Sequence, residues 1–266
     1  MKGIIFSVKR YSIHDGPGIR VTFYMKGCPL SCIWCHNPEG ISPLPEKAVR
    51  TNRVGGKSFS REEEVGRFYT IKEIINILDR ERVFIDQSGG GVTFSGGEPL
   101  LQPDFLIEVL KACKANGYHT AVDTAGYSSS DNYRTIIPFT DLFLFDLKHL
   151  DDARHMEVTG VSNVLILENF RLLLENANEI MIRIPVIPGI NDDKDHLERM
   201  VKFIADSKTT ALKKVNLLPY HKTGSSKYKR FNRINKMEGT EPPSKEQMRL
   251  LKEKFGETGV KTKIGG

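Results

Sequence analysis

The sequence predicts an α/β protein: a partial (β/α)6 barrel with a parallel sheet and its active site at the C-terminal strand ends. Three observations lead there. Short apolar runs alternate with amphipathic, helix-like segments through the chain, and such alternation means parallel strands joined by helical crossovers. Six such units are too few to close an eight-fold barrel, and they suit an open one. Finally, the residues that follow each strand candidate, rather than those that precede it, are charged, polar or glycine-rich.

The strand candidates are Ile19–Lys26, Gly91–Ser95, His119–Asp123, Leu142–Lys148, Ile180–Val186 and Lys214–Leu218. Their ends run into "KGCPLSCIWC", "SGGEP", "DTAG", "DLK", "IPGIND" and "PYH" in turn. Between strands, Phe105, Leu106, Val109, Leu110 and Cys113 share one face at helical spacing, and Gly117 suits the C-terminal cap. Asp192 or Asp193 caps a second helix, whose buried stripe is Leu197, Met200, Val201 and Ile204. Residues 41–67 are rich in proline, glycine and charge without sustained periodicity and read as an irregular loop. Lys222–Pro243 reads as a long basic loop before a last helix, Lys245–Phe255. A single domain spanning residues 1–266 is expected.

Hydrophobic content of 39% and charged content of 27% describe a soluble globular chain with a substantial core. No apolar run is long enough to span a membrane, and "MKGIIFSVKR" is too short and charged for a secretory signal, so a cytoplasmic protein is expected. A net charge of +6 is a modest pull towards an acidic partner.

Three of the four cysteines, Cys28, Cys32 and Cys35, lie within one short loop after the first strand candidate. A structural zinc site would need a fourth ligand, of which His36 is the nearest, but sequence-adjacent ligands rarely reach one ion. A disulfide with a spare thiol does not suit a reducing compartment. Three thiolates do hold an iron–sulfur cube whose remaining iron is open to a small molecule. Cys113, on an apolar helix face, belongs to the core.

The C-x3-C-x2-C spacing in an α/β chain resembles that of the radical S-adenosylmethionine enzymes. With "DGPGIR" (Asp15–Arg20), "CHNPEG", "SGGEP", Asp123–Gly126, "DLK" and "PYH" in order, the chain from Ile13 to about Pro243 resembles the glycyl-radical-enzyme activating enzymes. The resemblance implies one [4Fe-4S] cluster on Cys28, Cys32 and Cys35, chelated at its open iron by S-adenosylmethionine. It implies reductive cleavage of that cofactor to a 5′-deoxyadenosyl radical, which takes hydrogen from a glycine of a partner glycyl radical enzyme. A flavodoxin or ferredoxin is the implied electron donor.

The remaining site residues follow from their positions and from this resemblance. Gly96 and Gly97 permit close backbone approach to a ligand, and Glu98 is an acceptor for a cationic amine. The resemblance puts Gly97 against the cofactor and makes His221 a cofactor contact. Trp34, His36 and Asn37 offer ring surface and amide hydrogen bonds to an adenine. Asp146, Leu147 and Lys148 line the cofactor site, with Lys148 as counter-ion to its carboxylate, and Arg183 is a further cation near the site. Asp123 and Asp146 repel each other unless a cation sits between them; the resemblance implies a monovalent ion held by both and by Thr124. It also turns Asp15 towards the partner's glycine loop.

Each residue has a plainer reading as a turn, cap, ion pair or solvated charge. The basic loop, with Tyr228 and Phe231 among its cations, leaves a second reading: a radical S-adenosylmethionine enzyme that modifies a nucleotide or RNA. No RNA-binding signature accompanies it, and a protein surface is the preferred target. One departure bears on the partner. Many activating enzymes with "CHNPEG" carry a ferredoxin-like insert with further cysteine clusters, whereas residues 39–67 contain no cysteine here. The pyruvate formate-lyase type also lacks that insert, but its loop is shorter and does not read "NPEG", so the partner stays open.

Overall fold

The computed structural model describes residues 1–265. The chain opens with β1 (Lys2–Ser12) and β2 (Arg20–Met25), then β3 (Glu46–Val54), β4 (Lys57–Val65) and the short β5 (Arg67–Thr70). It alternates through α1 (Ile71–Ser88), β6 (Gly91–Gly96), α2 (Pro103–Ala115), β7 (Thr120–Thr124), α3 (Ser130–Ile136) and β8 (Leu142–Asp146). There follow α4 (Asp152–Thr159), α5 (Val164–Asn176), β9 (Glu179–Val186), α6 (Lys194–Asp206) and β10 (Leu212–Pro219). The last elements are α7 (Ser225–Arg230), α8 (Lys245–Gly256) and β11 (Lys261–Ile264).

Nine strands form one sheet in the order β11-β10-β9-β8-β7-β6-β2-β1-β5. From β2 through β6 to β11 every neighbouring pair is parallel, so all those C-terminal ends share one rim. The six strands expected from sequence are six consecutive members of this run, β2 and β6 to β10, which is the core of a partial barrel. The antiparallel β1 and β5 and the parallel β11 extend the sheet beyond what the pattern predicted.

Local chemistry sets the helix ends. Thr70 and Glu73 form a reciprocal capping box at the start of α1, and Gly89 closes it at φ 62°. Gly117 takes φ 77° after α2, and the Asp193 carboxylate accepts from His196 N at the start of α6. The stripes of α2, α5 and α6 bury Leu106, Phe170 and Met200 against sheet residues such as Val92, Phe143 and Ile182. No helix among the described residues is long and apolar enough to cross a membrane.

Two segments differ from expectation. Residues 41–67 hold the β3–β4 hairpin, whose β4 is largely exposed, so no apolar alternation marks it. Its overlooked signal is Gly55-Gly56, both at positive φ as a type I′ turn requires. The basic stretch contains the short helix α7, which packs on the cysteine loop and the hairpin rather than running as a free loop.

Candidate active site

The cysteine loop leaves β2 through Lys26 and is pinned on every side by backbone bonds. Gly27 N donates to Gly40 O at 2.8 Å, and Cys28 N donates to Ile41 O at 3.0 Å. Ser31 N and Ile33 N donate to Thr159 O and Val158 O at the end of α4, at 2.7 and 3.0 Å. Cys35 N donates back to Cys32 O, and the Tyr228 hydroxyl donates to Cys35 O at 2.8 Å. These bonds tie the loop to Gly40 and Ile41, to the end of α4 and to α7.

The glycines after β6 serve this loop as well as the cavity. A Cβ on Gly97 would lie 2.2 Å from Gly27 O, and one on Gly96 would lie 2.3 Å from Met25 N. The absence of side chains is what lets the end of β6 lie against the cysteine loop.

All three cysteines are free thiols and open onto a cavity of about 460 Å³ at the strand ends. Its wall also carries Trp34, His36, Asn37 and Gly97 from the sequence expectation, together with Asp123, Thr124, Asp146, Lys148, Arg183 and His221. Residues from β2 and β6 to β10, or from the loops that follow them, thus meet in one place. Burial pushes the Cys28 thiol up to about 12 and Cys32 up to about 11, and it raises Cys35. A group that brings positive charge to all three is what would hold them as thiolates. Among the described residues, no group of three or more His, Cys, Asp or Glu is arranged to hold a single metal ion. A cluster fits better, because each thiolate then binds a different iron.

Opposite the thiols lies a charged wall. Arg183 Nη1 stands 3.0 Å from Asp123 Oδ2, its Nε is 3.7 Å from Asp146 Oδ1, and Lys148 Nζ is 2.6 Å from Asp146 Oδ2. Burial raises the Asp123 carboxyl, while Arg183 draws it back and Asp146 raises it further. Burial works against the charges of Lys148 and Arg183, but the facing aspartates hold both above their ordinary values. Lys148 and Arg183 thus place positive charge beside both aspartates. Thr124, also on the cavity wall, directs its Oγ1 to Glu98 Oε1 at 2.8 Å and Tyr133 OH at 2.6 Å. Arg183 Nε and His36 Nε2 are buried without a hydrogen-bond partner, while Arg183 and His36 both line the cavity.

Other expected residues sit away from the cavity. Glu98 is wholly buried and accepts from Thr124 Oγ1, Ala125 N at 2.8 Å and Leu100 N at 3.3 Å, so it ties two strand-end turns together. Burial raises its carboxyl to about 7, against the pull of those donors. Leu147 is buried and contributes its N–H to Arg183 O at 2.9 Å. Asp15 is also buried: it accepts from the Ser12 hydroxyl, Thr22 Oγ1 at 2.8 Å and Tyr24 OH at 3.3 Å, and its neighbour His14 reaches the cavity.

Sequence reasoning passed over several residues that organise the site. Arg20 is fully buried; it donates to Thr93 Oγ1 at 2.7 Å, Val92 O at 2.6 Å and Pro17 O at 3.2 Å, bracing the Gly-Pro-Gly loop. Its signal was an arginine inside an apolar strand. Lys227 Nζ reaches Asn37 Oδ1 and Glu39 Oε1, each at 2.8 Å. Tyr228 and Lys227 read only as members of the basic loop, since nothing local links them to a segment almost two hundred residues earlier. The stacked rings of His36 and His221, 4.0 Å between centroids, close one side of the cavity.

With this geometry in place, comparison with known proteins is direct. Residues 22–204 match the family model described as Radical SAM superfamily. A trans-4-hydroxy-L-proline dehydratase activating enzyme from Clostridioides difficile is 37% identical over 305 aligned positions covering the whole of both chains. A pyruvate formate-lyase-activating enzyme from Clostridium pasteurianum is 38% identical over 250 positions, covering 94% of this chain and 95% of its own. The crystal structure of a domain of a pyruvate-formate lyase-activating enzyme from Bacteroides vulgatus superposes with a TM-score of 0.56 at 36% identity, over 66% of this chain and 99% of that one. The chain belongs to the radical SAM superfamily and, within it, to the glycyl-radical-enzyme activating enzymes. Its cofactors are accordingly a [4Fe-4S] cluster and S-adenosylmethionine.

Proposed function

We propose that the cavity binds S-adenosylmethionine against a cluster held by Cys28, Cys32 and Cys35, and that the protein thereby installs a glycyl radical on a separate enzyme in the cytoplasm. The observation that carries this reading is the convergence of three free thiols and a charged wall, Asp123, Asp146, Lys148 and Arg183, on one cavity. When bound, the cluster and cofactor supply a 5′-deoxyadenosyl radical that takes hydrogen from a glycine Cα.

The chain's own residues do the positioning. Lys148 and Arg183, both on the cavity wall, meet the cofactor carboxylate, and the strand-end aspartates keep those cations charged and oriented. Trp34, His36 and His221 form a ring-lined side for the adenine, and Asn37, held by Lys227, presents its amide to the ring edge. Gly97 admits the ligand beside the turn that Glu98 holds. Pro185 and Ile187 keep water from the reacting atoms. Asp15 acts by shaping the loop through which His14 faces the cavity, where the partner's glycine must arrive. The fold is one functional unit, and a flavodoxin or ferredoxin supplies the electron.

Pyruvate formate-lyase is the first partner to try. The match to the C. pasteurianum relative runs over 250 positions, whereas that to the C. difficile relative needs 305 for a chain of 266 residues, so the latter carries extra segments. The deciding experiment mixes the anaerobically reconstituted protein, S-adenosylmethionine and reductant with candidate partner enzymes. A doublet glycyl EPR signal that requires all components is expected. Cofactor cleavage without that signal, for every glycyl radical enzyme of the source organism, would sink the reading.

A further inference from the structure

The loop after β9, "IPGIND", is the strand-end segment to which the reaction assigns no polar side chain, yet its Asn191 is only 2% exposed. The reason for burying an amide there lies in how β8 and β9 part. Asp146 and Arg183 are the last pair of their ladder, and Leu147 N still donates to Arg183 O at 2.9 Å. Pro185 has no N–H to offer in return, so the next rung cannot form, while β9 goes on pairing with β10 as far as Val186. The fork shapes the site: Lys148 on one arm and Pro185 and Ile187 on the other line the cavity. It also leaves the carbonyls of Lys148 and Pro185 for something other than the ladder to satisfy.

Asn191 satisfies both. Its Nδ2 donates to Lys148 O at 3.0 Å and to Pro185 O at 2.7 Å, and its Oδ1 accepts from Ile187 N at 2.8 Å. Asn191 N returns a bond to Ile187 O at 3.3 Å, so the loop is closed on itself. Two residues on, the Asp193 carboxylate caps α6, which fixes where Asn191 stands. His149, which follows Lys148, stacks on His196 of α6 at 4.0 Å between ring centroids. The backbone at Lys148 is therefore held from the α6 side, while its Nζ is held by Asp146 Oδ2 at 2.6 Å. Three bonds from one side chain thus join the residue that carries a cavity cation to the two residues of the facing apolar wall.

We propose that Asn191 is a positioning residue: its amide bridges the fork between β8 and β9 and so sets Lys148 where it meets the carboxylate of S-adenosylmethionine. The inference rests on the cofactor-binding reading above. Asn191 acts through the Lys148 backbone and needs no contact with the cofactor.

The test measures the affinity of anaerobically reconstituted protein for S-adenosylmethionine by equilibrium dialysis, with iron content and thermal midpoint recorded for every variant. Asn191→Asp keeps an acceptor for Ile187 N but replaces both donations with an anionic oxygen facing two carbonyls. A Kd raised about tenfold or more is expected. Asn191→Ser, whose hydroxyl donates to one carbonyl at most, is expected to fall between that variant and the wild type. With dithionite as reductant, the KM for 5′-deoxyadenosine formation is expected to rise by a larger factor than kcat falls. In Lys148→Met, whose Kd is itself raised, Asn191→Asp is expected to add less than it does in the wild type.

Variants with wild-type iron content and unchanged Kd overturn the proposal. A loss retained in full in the Lys148→Met background also overturns it, because the effect then reaches the cofactor by another route. Loss of iron from both Asn191 variants does the same, since the residue would then serve the fold at large. Wild-type protein that holds its iron yet neither binds nor cleaves S-adenosylmethionine overturns the cofactor-binding reading, and this proposal with it.

Discussion

Arg183 Nη1 lies 3.0 Å from Asp123 Oδ2, an ion pair that reaches across the barrel interior from β9 to β7. Between those strands stands β8, whose Asp146 faces the same guanidinium at 3.7 Å. The two carboxylates at this mouth thus share a cation contributed by a strand of the same sheet, two positions along from β7.

Removing that charge should be costly. Arg183→Met leaves two largely buried carboxylates facing each other, and an unfolding free energy lower by about 3–5 kcal/mol is expected from urea titration. The double variant with Asp123→Asn should lose less than the sum of the single losses, because the pair is broken only once. Strict additivity would show that the pair is not coupled.

The cysteines should separate cleanly. Cys28→Ala, Cys32→Ala or Cys35→Ala should each lower the iron content and visible absorbance after anaerobic reconstitution and abolish 5′-deoxyadenosine formation. Cys113→Ala removes a thiol wholly enclosed in the core. It should lower stability and leave iron and cleavage intact; lost iron there would refute its purely structural role.

Gly97, after β6, and Gly117, after α2, should respond differently to an added side chain. Gly97→Ala drives a Cβ to 2.2 Å from Gly27 O, so the cysteine loop must shift, and reconstitution should yield less bound iron. Gly117→Ala meets no atom within 4 Å and suffers only its φ of 77°. Its cost should be about 1–2 kcal/mol of stability, with iron content unchanged.

Acid should destabilise the protein through a stacked pair of histidines. His149 and His196 lie 4.0 Å apart between ring centroids. Burial, with His149 beside it, depresses His196 to about 4, while Asp193 and Asp151 oppose the shift and Arg199 adds to it. The unfolded chain therefore binds the proton more tightly than the native one. This contribution to stability is complete above the ordinary histidine value near 6.5 and is lost as the pH falls towards 4. Unfolding midpoints at pH 7.5 and 5 should differ less in His196→Phe than in the wild type; an equal difference would exclude the stack as the source.

Much of this was legible in the chain itself. The six central strands, the rim on which chemistry collects and the three-cysteine loop follow from periodicity and spacing, which are local and repeat along the sequence. The β3–β4 hairpin escaped because most of its residues face solvent, so burial imposed no alternation on them. Glu98 and Asp15 were placed at the right turns, but whether a turn's side chain faces the cavity or the interior depends on partners such as Ala125, Thr124 and Thr22 that close around it only on folding.

The sequence by itself determined the class of fold, the thiol set and the family of chemistry, because each is written in residue types at short spacing. Tertiary structure alone decided that Arg183 serves both aspartates, that Tyr228 holds Cys35, and that most of the basic loop's charge is used internally. Those relationships join residues far apart in sequence, and electrostatics and packing select them only once the sheet has brought its strand ends together.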